Sequence, residues 1–311
     1  MEISVILAEK IAELFLIMMM GFVLVKAGLL KSSDSRIISV ILVYLITPCM
    51  IIHSFQITAT SEVISGLTFS FLTAFAVHIL FIVFTEIFRK VTDLSVIEQL
   101  TLIYTNAGIL VIPLVESLLG SEYVIYSSGF IAVQQILLWT HCRGKLCGDG
   151  SGIQWKKLIL NINVLSMLAG GLLFALQIHL PELLGDTMET TGGMIGPMGM
   201  LLAGMLLADT SLRKVFARGK NYIPAVLRLL VFPALLLLLF KLTGISSMIS
   251  DGKNILLVVF LACATPACAT VTSMAQLYGG DAQYSSVLYA LTTVLSIVTM
   301  PVMIGMYTLL I

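Results

Sequence analysis

Two short stretches of this sequence place polar residues, glycine and proline inside long apolar runs. The residues concerned are Thr105, Asn106, Gly108 and Pro113 in the first stretch, and Thr265, Pro266 and Thr270 in the second. Proline has no N–H and its ring crowds the carbonyl four residues earlier, so each proline is expected to open a helix. Backbone groups freed in hydrocarbon need a partner from protein, water or a ligand. We therefore interpret both stretches as broken membrane helices that can bind a small molecule.

The chemistry favoured by two such breaks is anion binding. Pro113 is expected to open its helix over residues 108–113, and Pro266 to leave the carbonyl of Ala262 without a partner. If the breaks cross at mid-membrane, two half-helix N-termini meet there, each equivalent to about half a positive charge. The half-helix C-termini nearby partly offset this field, so the Asn106 amide is expected to donate hydrogen bonds directly. These donors suit a carboxylate. Ordinary proline kinks absorbed by helix packing are the alternative interpretation.

The composition places these stretches in a membrane. Of 311 residues, 59% are hydrophobic and 11% are charged, whereas soluble proteins have about 25% charged residues. A water-soluble globule is therefore excluded. Seventeen basic and 17 acidic residues leave no net charge, so nothing in the bulk electrostatics favours nucleic acid as a partner.

Ten apolar runs are long enough for transmembrane helices, which need about 20 residues each. They cover residues 11–28, 38–57, 63–88, 97–119, 123–142, 158–178, 188–208, 222–242, 254–277 and 284–311. The alternating ten-residue segments of a β-barrel are absent. The predicted fold class is an all-α membrane protein with ten transmembrane helices, in which the fourth and ninth are broken and cross.

The basic residues predict the orientation of these helices. Thirteen of the 17 Lys and Arg lie in alternate connections, at 26–36, 89–90, 143–157 and 213–220. The positive-inside rule places these connections in the cytoplasm and both termini outside, in the plasma (cytoplasmic) membrane. Arg228 lies inside the eighth run and is expected to extend its side chain to the cytoplasmic surface, with a role in the substrate path as the weaker alternative.

If the chain consists of two five-helix halves, the odd number of helices in each puts the second half upside down relative to the first, a plan common in secondary transporters. The predicted units are a first five-helix repeat at 1–147, a cytoplasmic linker at 148–157 and an inverted second repeat at 158–311. Two pairs of prolines separated by nearly the same number of residues support the repeat, namely Pro48 with Pro197 and Pro113 with Pro266.

Two ionisable residues are candidates for coupling transport to a proton. Glu116 lies three residues after Pro113 and His78 lies near the middle of the third run. The alternatives are an interfacial glutamate and a neutral histidine bonded to a neighbouring helix. No carboxylate lies at the predicted crossing, so a sodium site there would have to use backbone carbonyls and threonine hydroxyls. We expect no cofactor and no resident metal.

Several motifs carry a family resemblance. They are Asn106-Ala107-Gly108 followed by Pro113-Leu114, Pro266 followed by Tyr278-Gly279-Gly280-Asp281, and Lys26-Ala27-Gly28-Leu29-Leu30 at the end of the first run. This combination resembles the auxin efflux carrier family, which includes bacterial malonate and malate carriers. The resemblance implies a ten-helix carrier of small organic anions, usually dimeric, with helices one, two, six and seven as a scaffold beside a mobile domain.

Two departures from the family pattern limit which properties of the family are expected in this chain. Relatives often have Asn or Ser where this chain has Thr270, which weakens the amide content of the site. The long central loop of the plant exporters is missing, which argues against plant auxin as the substrate.

The sequence thus predicts a secondary active transporter that moves a mono- or dicarboxylate by alternating access, coupled to protons or sodium. Its expected partners are the substrate, the lipid bilayer and a second copy of the chain. A sodium symporter of the bile-acid type is the alternative, followed by a channel or a receptor. An intramembrane enzyme has no support, because no metalloprotease or serine-hydrolase motif occurs.

Overall fold

The computed structural model describes residues 2–148, 160, 162–209, 216 and 218–311. Of the residues that the structure describes, 85% are helical, and this part of the chain contains no strand beyond one isolated pair of bridged residues. The all-α prediction is therefore confirmed. Most of the predicted linker lies outside the described residues, as do Lys156, Lys157, Arg213 and Lys214 from the basic connections.

The helices are numbered in chain order. They are α1 (Glu2–Lys26), α2 (Ser32–Ser54), α3 (Ser61–Thr92), α4 (Val96–Ile103), α5 (Ala107–Leu119), α6 (Val124–Leu137), α7 (Ile162–Ala175), α8 (Glu182–Ala208), α9 (Gly219–Thr243), α10 (Gly252–Ala264), α11 (Ala269–Leu277) and α12 (Ala282–Leu310). A turn of π-helix at Leu138–Cys142 extends α6 toward Cys147.

Five of these helices are long and apolar enough to cross a membrane, judged by length and composition over the described residues: α2, α3, α8, α9 and α12. Helices α5, α7 and α10 are shorter apolar helices of 10–17 residues. The predicted fourth run is divided between α4 and α5, and the predicted ninth run between α10 and α11. Each of these four helices is too short to span a bilayer alone, because both runs are interrupted in their interior.

Several basic residues lie at one end of the helix bundle, among them Lys145, Arg218 and Lys220. Lys145 Nζ lies 2.8 Å from a carboxylate oxygen of Glu86 at the end of α3, and 3.2 Å from Gln99 Oε1 in α4. Glu98 accepts a 2.7 Å hydrogen bond from the hydroxyl of Tyr284, which lies at the start of α12. We call this the basic end, since the ends of α3 and α6 meet the starts of α4 and α12 there.

The opposite end joins the other termini of α6 and α12 to the start of α10. Asn254 near the start of α10 donates a 3.2 Å hydrogen bond to the hydroxyl of Tyr123, just before α6. Tyr307 near the end of α12 donates to the carbonyl of Lys253 at 2.7 Å. Helices α6 and α10 therefore begin at the end where α12 finishes, so α6 and α10 run opposite to α12.

Glycines in α8 make the closest contacts between helices. A Cβ added at Gly204 would collide with the carbonyl oxygen of Met18 in α1, and one at Gly192 would lie 2.9 Å from Cα of Met50 in α2. These contacts place Gly192 and Gly204 against helices of the same chain.

Candidate functional site

The two broken helices meet through their interruptions. Residues 104–106 separate α4 from α5, and residues 265–268 separate α10 from α11. Both segments contain extended backbone, with φ −98° and ψ 134° at Tyr104 and φ −66° and ψ 156° at Thr265. The Asn106 N–H donates to the Pro266 carbonyl at 2.9 Å. These two segments form an antiparallel pair, which we call the crossing.

The position predicted for the first break was wrong. Pro113 lies inside the continuous helix α5, and the interruption falls seven or more residues earlier, at 104–106. The physical reason is that hydrogen-bond partners for an interrupted backbone are available at 104–106. Pro113 removes one N–H from its helix, which the surroundings tolerate, whereas the extended residues obtain hydrogen bonds from the other broken helix. The Asn106 carbonyl then starts α5 by accepting from the N–H of Leu110 at 3.2 Å.

The second break follows the prediction. Helix α10 ends at Ala264 and Pro266 lies in the extended segment. The carbonyl of Ala262, which loses its helix partner to Pro266, accepts a 2.9 Å hydrogen bond from the Thr265 hydroxyl instead. Thr265 is completely buried, so its hydroxyl satisfies the backbone rather than facing an open space.

Gln134 in α6 holds the first extended segment, a role that the sequence did not reveal. Its Oε1 accepts from both the N–H and the hydroxyl of Thr105 at 3.0 Å, and its Nε2 donates to the Thr105 carbonyl at 2.9 Å. The side chain thereby replaces a neighbouring strand for this one residue. A glutamine in an apolar run was the available signal, but it did not specify a partner.

Thr292 in α12 supports the second segment. Its hydroxyl accepts a 3.2 Å hydrogen bond from the N–H of Ala267 and donates to the carbonyl of Leu288 at 2.8 Å. The extended backbone on both sides of the crossing is thus paired with side chains of packed helices, as burial in an apolar medium requires.

Arg228 in α9 contradicts its predicted position at the cytoplasmic surface. The residue is completely buried, and its Nη2 donates to the Thr265 carbonyl at 2.9 Å. Its Nη1 lies 3.4 Å from the carbonyl of Leu102, and the guanidinium stands 5.4 Å from the ring centre of Phe81. Within the described part of the chain, no carboxylate lies at ion-pair distance from it. Extension to the surface is excluded because the guanidinium binds the crossing.

At the crossing, the side-chain amide of Asn106 has no hydrogen-bond partner. The residue is 3% exposed and its Nδ2 makes no hydrogen bond. The next two residues, Ala107 and Gly108, form the first turn of α5, whose N–H groups have no helix partner. Gly108 is half-buried, and a Cβ built on it meets no atom within 4 Å. Amide donors and open space therefore coincide at the N-terminus of α5.

The remaining predicted residues lie at different distances from the crossing. Thr270 is exposed in the first turn of α11. Glu116 is exposed and lies ten residues beyond Asn106 in the chain, about 15 Å along α5. His78 is completely buried, with its Nδ1 2.7 Å from the Ala74 carbonyl and its ring 4.5 Å from that of Phe130.

His78 is also close to the groups that support the crossing. Its imidazole lies near the Gln134 side chain and within electrostatic range of Arg228, although Nε2 has no partner at normal hydrogen-bond distance. The structure thus brings His78 to the crossing and leaves Glu116 remote from it.

Comparison with known proteins places this arrangement in a family. Residues 6–146 and 150–304 match the profile of a family described as membrane transport protein, which is the auxin efflux carrier family. The chain belongs to this family. The transporter is thus a multi-pass membrane protein, as the resemblance of its motifs implied. The comparison with curated proteins gives no match.

A large cavity opens at the basic end of the transporter. Its volume is about 1010 Å³, and its lining includes Lys145, Arg218, Lys220 and Glu98. Leu146 lines this cavity and also packs against an apolar cluster that contains Tyr104 and Cys268 of the crossing. An apolar layer therefore lies between the cavity and the crossing.

A second cavity of the transporter adjoins α5. It is enclosed by α1, α5, α8 and α12, with Met18, Leu110, Met200 and Ser296 in its lining, and holds about 30 Å³. This is room for one or two water molecules. In this conformation the larger open space lies on the side of the basic end.

Proposed function

We propose that this transporter is a secondary active carrier that binds a small organic anion, a mono- or dicarboxylate, at the crossing. The observation that carries the proposal is the unpartnered, buried amide of Asn106 at the N-terminus of α5. An amide N–H₂ and free helix N–H groups are the donors that a carboxylate accepts from. Gly108 allows a ligand to approach the backbone because no atom occupies the space beside it.

The proposed architecture is ten transmembrane helices in two inverted repeats, at 1–147 and 158–311. Helices α4 and α5 form the fourth span, and α10 and α11 form the ninth. The antiparallel pairing of the two breaks supports this plan, since equivalent helices of inverted repeats run in opposite directions. The positive-inside rule places the basic end in the cytoplasm of the cell and both termini outside.

The proposed motion divides the helices into a scaffold of α1, α2, α7 and α8 and a mobile domain that contains the crossing. Contacts between α8 and α5 support this division. A Cβ at Gly196 would lie 3.1 Å from Cβ of Pro113, and one at Gly199 would collide with the Ile109 side chain. The glycines let α8 approach the broken helix closely, so this contact forms part of the interface between the two proposed domains. We also expect a homodimer and coupling to protons or sodium.

The proposal is tested by uptake into liposomes that contain the purified protein. Radiolabelled acetate, malonate, malate and succinate are offered outside, with the same acid or none inside. A carrier gives saturable uptake that is stimulated by substrate on the opposite side. Flux that rises linearly with concentration and shows no exchange would indicate a channel instead.

Asn106→Ala is the decisive variant. We expect it to abolish uptake while its melting temperature stays within a few degrees of wild type, because the amide donates no hydrogen bond inside the protein. Asn254→Ala is the matched control, since Asn254 binds Tyr123 and Asp251 at the far end of the bundle. Unchanged uptake by the Asn106 variant would overturn the assignment of the site.

A further inference from the structure

The C-terminal ends of two broken helices also meet at the crossing. Helices α4 and α10 end there, at Ile103 and Ala264. The last carbonyls of a helix have no partner within the helix, and its end is equivalent to about half a negative charge. Two such ends amount to about one negative charge. In secondary transporters, ends of this kind and unwound carbonyls coordinate the coupling cation.

Arg228 is the group that contacts these ends. Its two Nη atoms reach carbonyls of different helix ends, Leu102 at the end of α4 and Thr265 after the end of α10. A buried charge is costly unless other groups compensate it. Because the described residues provide no carboxylate at ion-pair distance, the two carbonyls and the face of the Phe81 ring are the compensation that the structure shows.

The charges at the crossing then add up in favour of an anion. The single positive charge of the guanidinium balances the negative ends of α4 and α10, which together are worth about one negative charge. The N-termini of α5 and α11 are left unopposed and amount to about one positive charge. The sequence alone implied that the half-helix C-termini partly offset the positive field of the N-termini. Arg228, a side chain from α9, removes this offset.

We propose that Arg228 is the built-in cation of the crossing. It occupies the carbonyl ends of α4 and α10 in place of a free sodium ion, and so lets the crossing bind a singly charged carboxylate without sodium at that position. A planar guanidinium suits this role because its two Nη groups can bind two separate carbonyls at once, which an ammonium group does less well. This inference rests on the proposed function and deepens it by assigning the charge of the substrate.

The cation site itself is tested without any substrate. Arg228→Ala should lower the melting temperature by an amount on the order of 5 °C, because the carbonyl ends lose their partner. Guanidinium chloride at 5 mM should restore part of this loss, whereas 5 mM urea should not, and neither should stabilise wild type. If Arg228→Ala cannot be purified, Arg228→Lys and Arg228→Gln replace it, with the lysine variant the more stable of the two.

The role in anion binding is tested by uptake with sodium or with choline as the only external cation. Wild type should take up its acid equally in both buffers and prefer malonamate, which has one charge, over malonate and the neutral malonamide. Arg228→Gln should lose uptake about tenfold or more in choline and recover part of it in sodium. Arg36→Gln, at an exposed arginine near the start of α2, should behave as wild type.

Three results would overturn the inference: wild-type uptake that requires sodium, Arg228→Gln with wild-type uptake, or a folded Arg228→Ala that guanidinium does not stabilise. If wild type carries none of the acids, the proposed function fails instead. The melting experiment still decides in that case whether Arg228 fills a cation site, so the two failures are distinguishable.

Discussion

The backbone N–H of Asn106 donates a 2.9 Å hydrogen bond to the carbonyl of Pro266, 160 residues away in the sequence. This bond and its companion from the Cys268 N–H to the Tyr104 carbonyl, at 3.2 Å, tie the two broken helices to each other. The interruptions are therefore one structural unit. A substitution that moves either segment is expected to disturb the donors of both.

Removal of the three hydrogen bonds between Gln134 and Thr105 should destabilise the crossing. Gln134→Leu leaves the N–H, hydroxyl and carbonyl of Thr105 buried without partners, and each such group costs about 1–3 kcal/mol. We expect a clear fall in melting temperature and loss of transport. Gln135→Leu is the control, because the neighbouring side chain lies partly exposed on the same helix. Equal melting temperatures for the two variants would contradict the stabilising role of the Gln134 side chain.

Bulk at Gly108 should block the substrate without unfolding the protein. A Cβ there meets no atom within 4 Å, so Gly108→Ala has space in the structure, and Gly108→Leu extends the side chain further in the same direction. We expect melting temperatures close to wild type, with uptake decreasing as the side chain becomes larger. The measurement is initial uptake rate beside thermal unfolding in detergent. Full activity of Gly108→Leu would show that the ligand does not approach this position.

Close packing of α1 against α8 should make Gly204 intolerant of any side chain. Gly204→Ala forces a methyl group onto the carbonyl of Met18, so the two helices must separate. We expect a loss of stability of about 1–3 kcal/mol, seen as a lower melting temperature. Gly171→Ala in α7 is the control, because a Cβ there meets nothing within 4 Å. That variant should be as stable as wild type or slightly more so, since alanine favours helix.

Glu116 should be dispensable for coupling. The residue is exposed and about 15 Å along α5 from Asn106. We expect Glu116→Gln to keep wild-type uptake rates and the same number of protons moved per anion, measured with a pH dye inside the liposomes. A changed ratio would restore this carboxylate as the coupling group.

The basic lining of the large cavity should gather anions before they reach the crossing. Arg218 and Lys220 line it and are exposed, so the double variant Arg218→Gln, Lys220→Gln should raise KM by about two- to fivefold at low salt. The maximal rate should stay the same, and the difference should shrink at high salt, where exposed charges are screened. A fall in maximal rate with unchanged KM would contradict an electrostatic role.

The sequence by itself determined what depends on neighbouring residues. The all-α class followed from apolar runs too long for anything but membrane helices. The break at Pro266 and the loss of a partner for the Ala262 carbonyl followed from the covalent structure of proline. Both were confirmed, because an apolar length and a missing N–H have the same consequence in any fold.

Only the tertiary structure decided which groups satisfy the crossing. Thr105 is held by Gln134, 29 residues later, and the Thr265 carbonyl by Arg228, 37 residues earlier. The first break lies at 104–106 rather than at Pro113 because those partners are available there. An arginine in an apolar run is expected at the surface, since burying its charge is costly. Two helix ends brought together by folding offset that cost, and no pattern along the chain reveals their meeting.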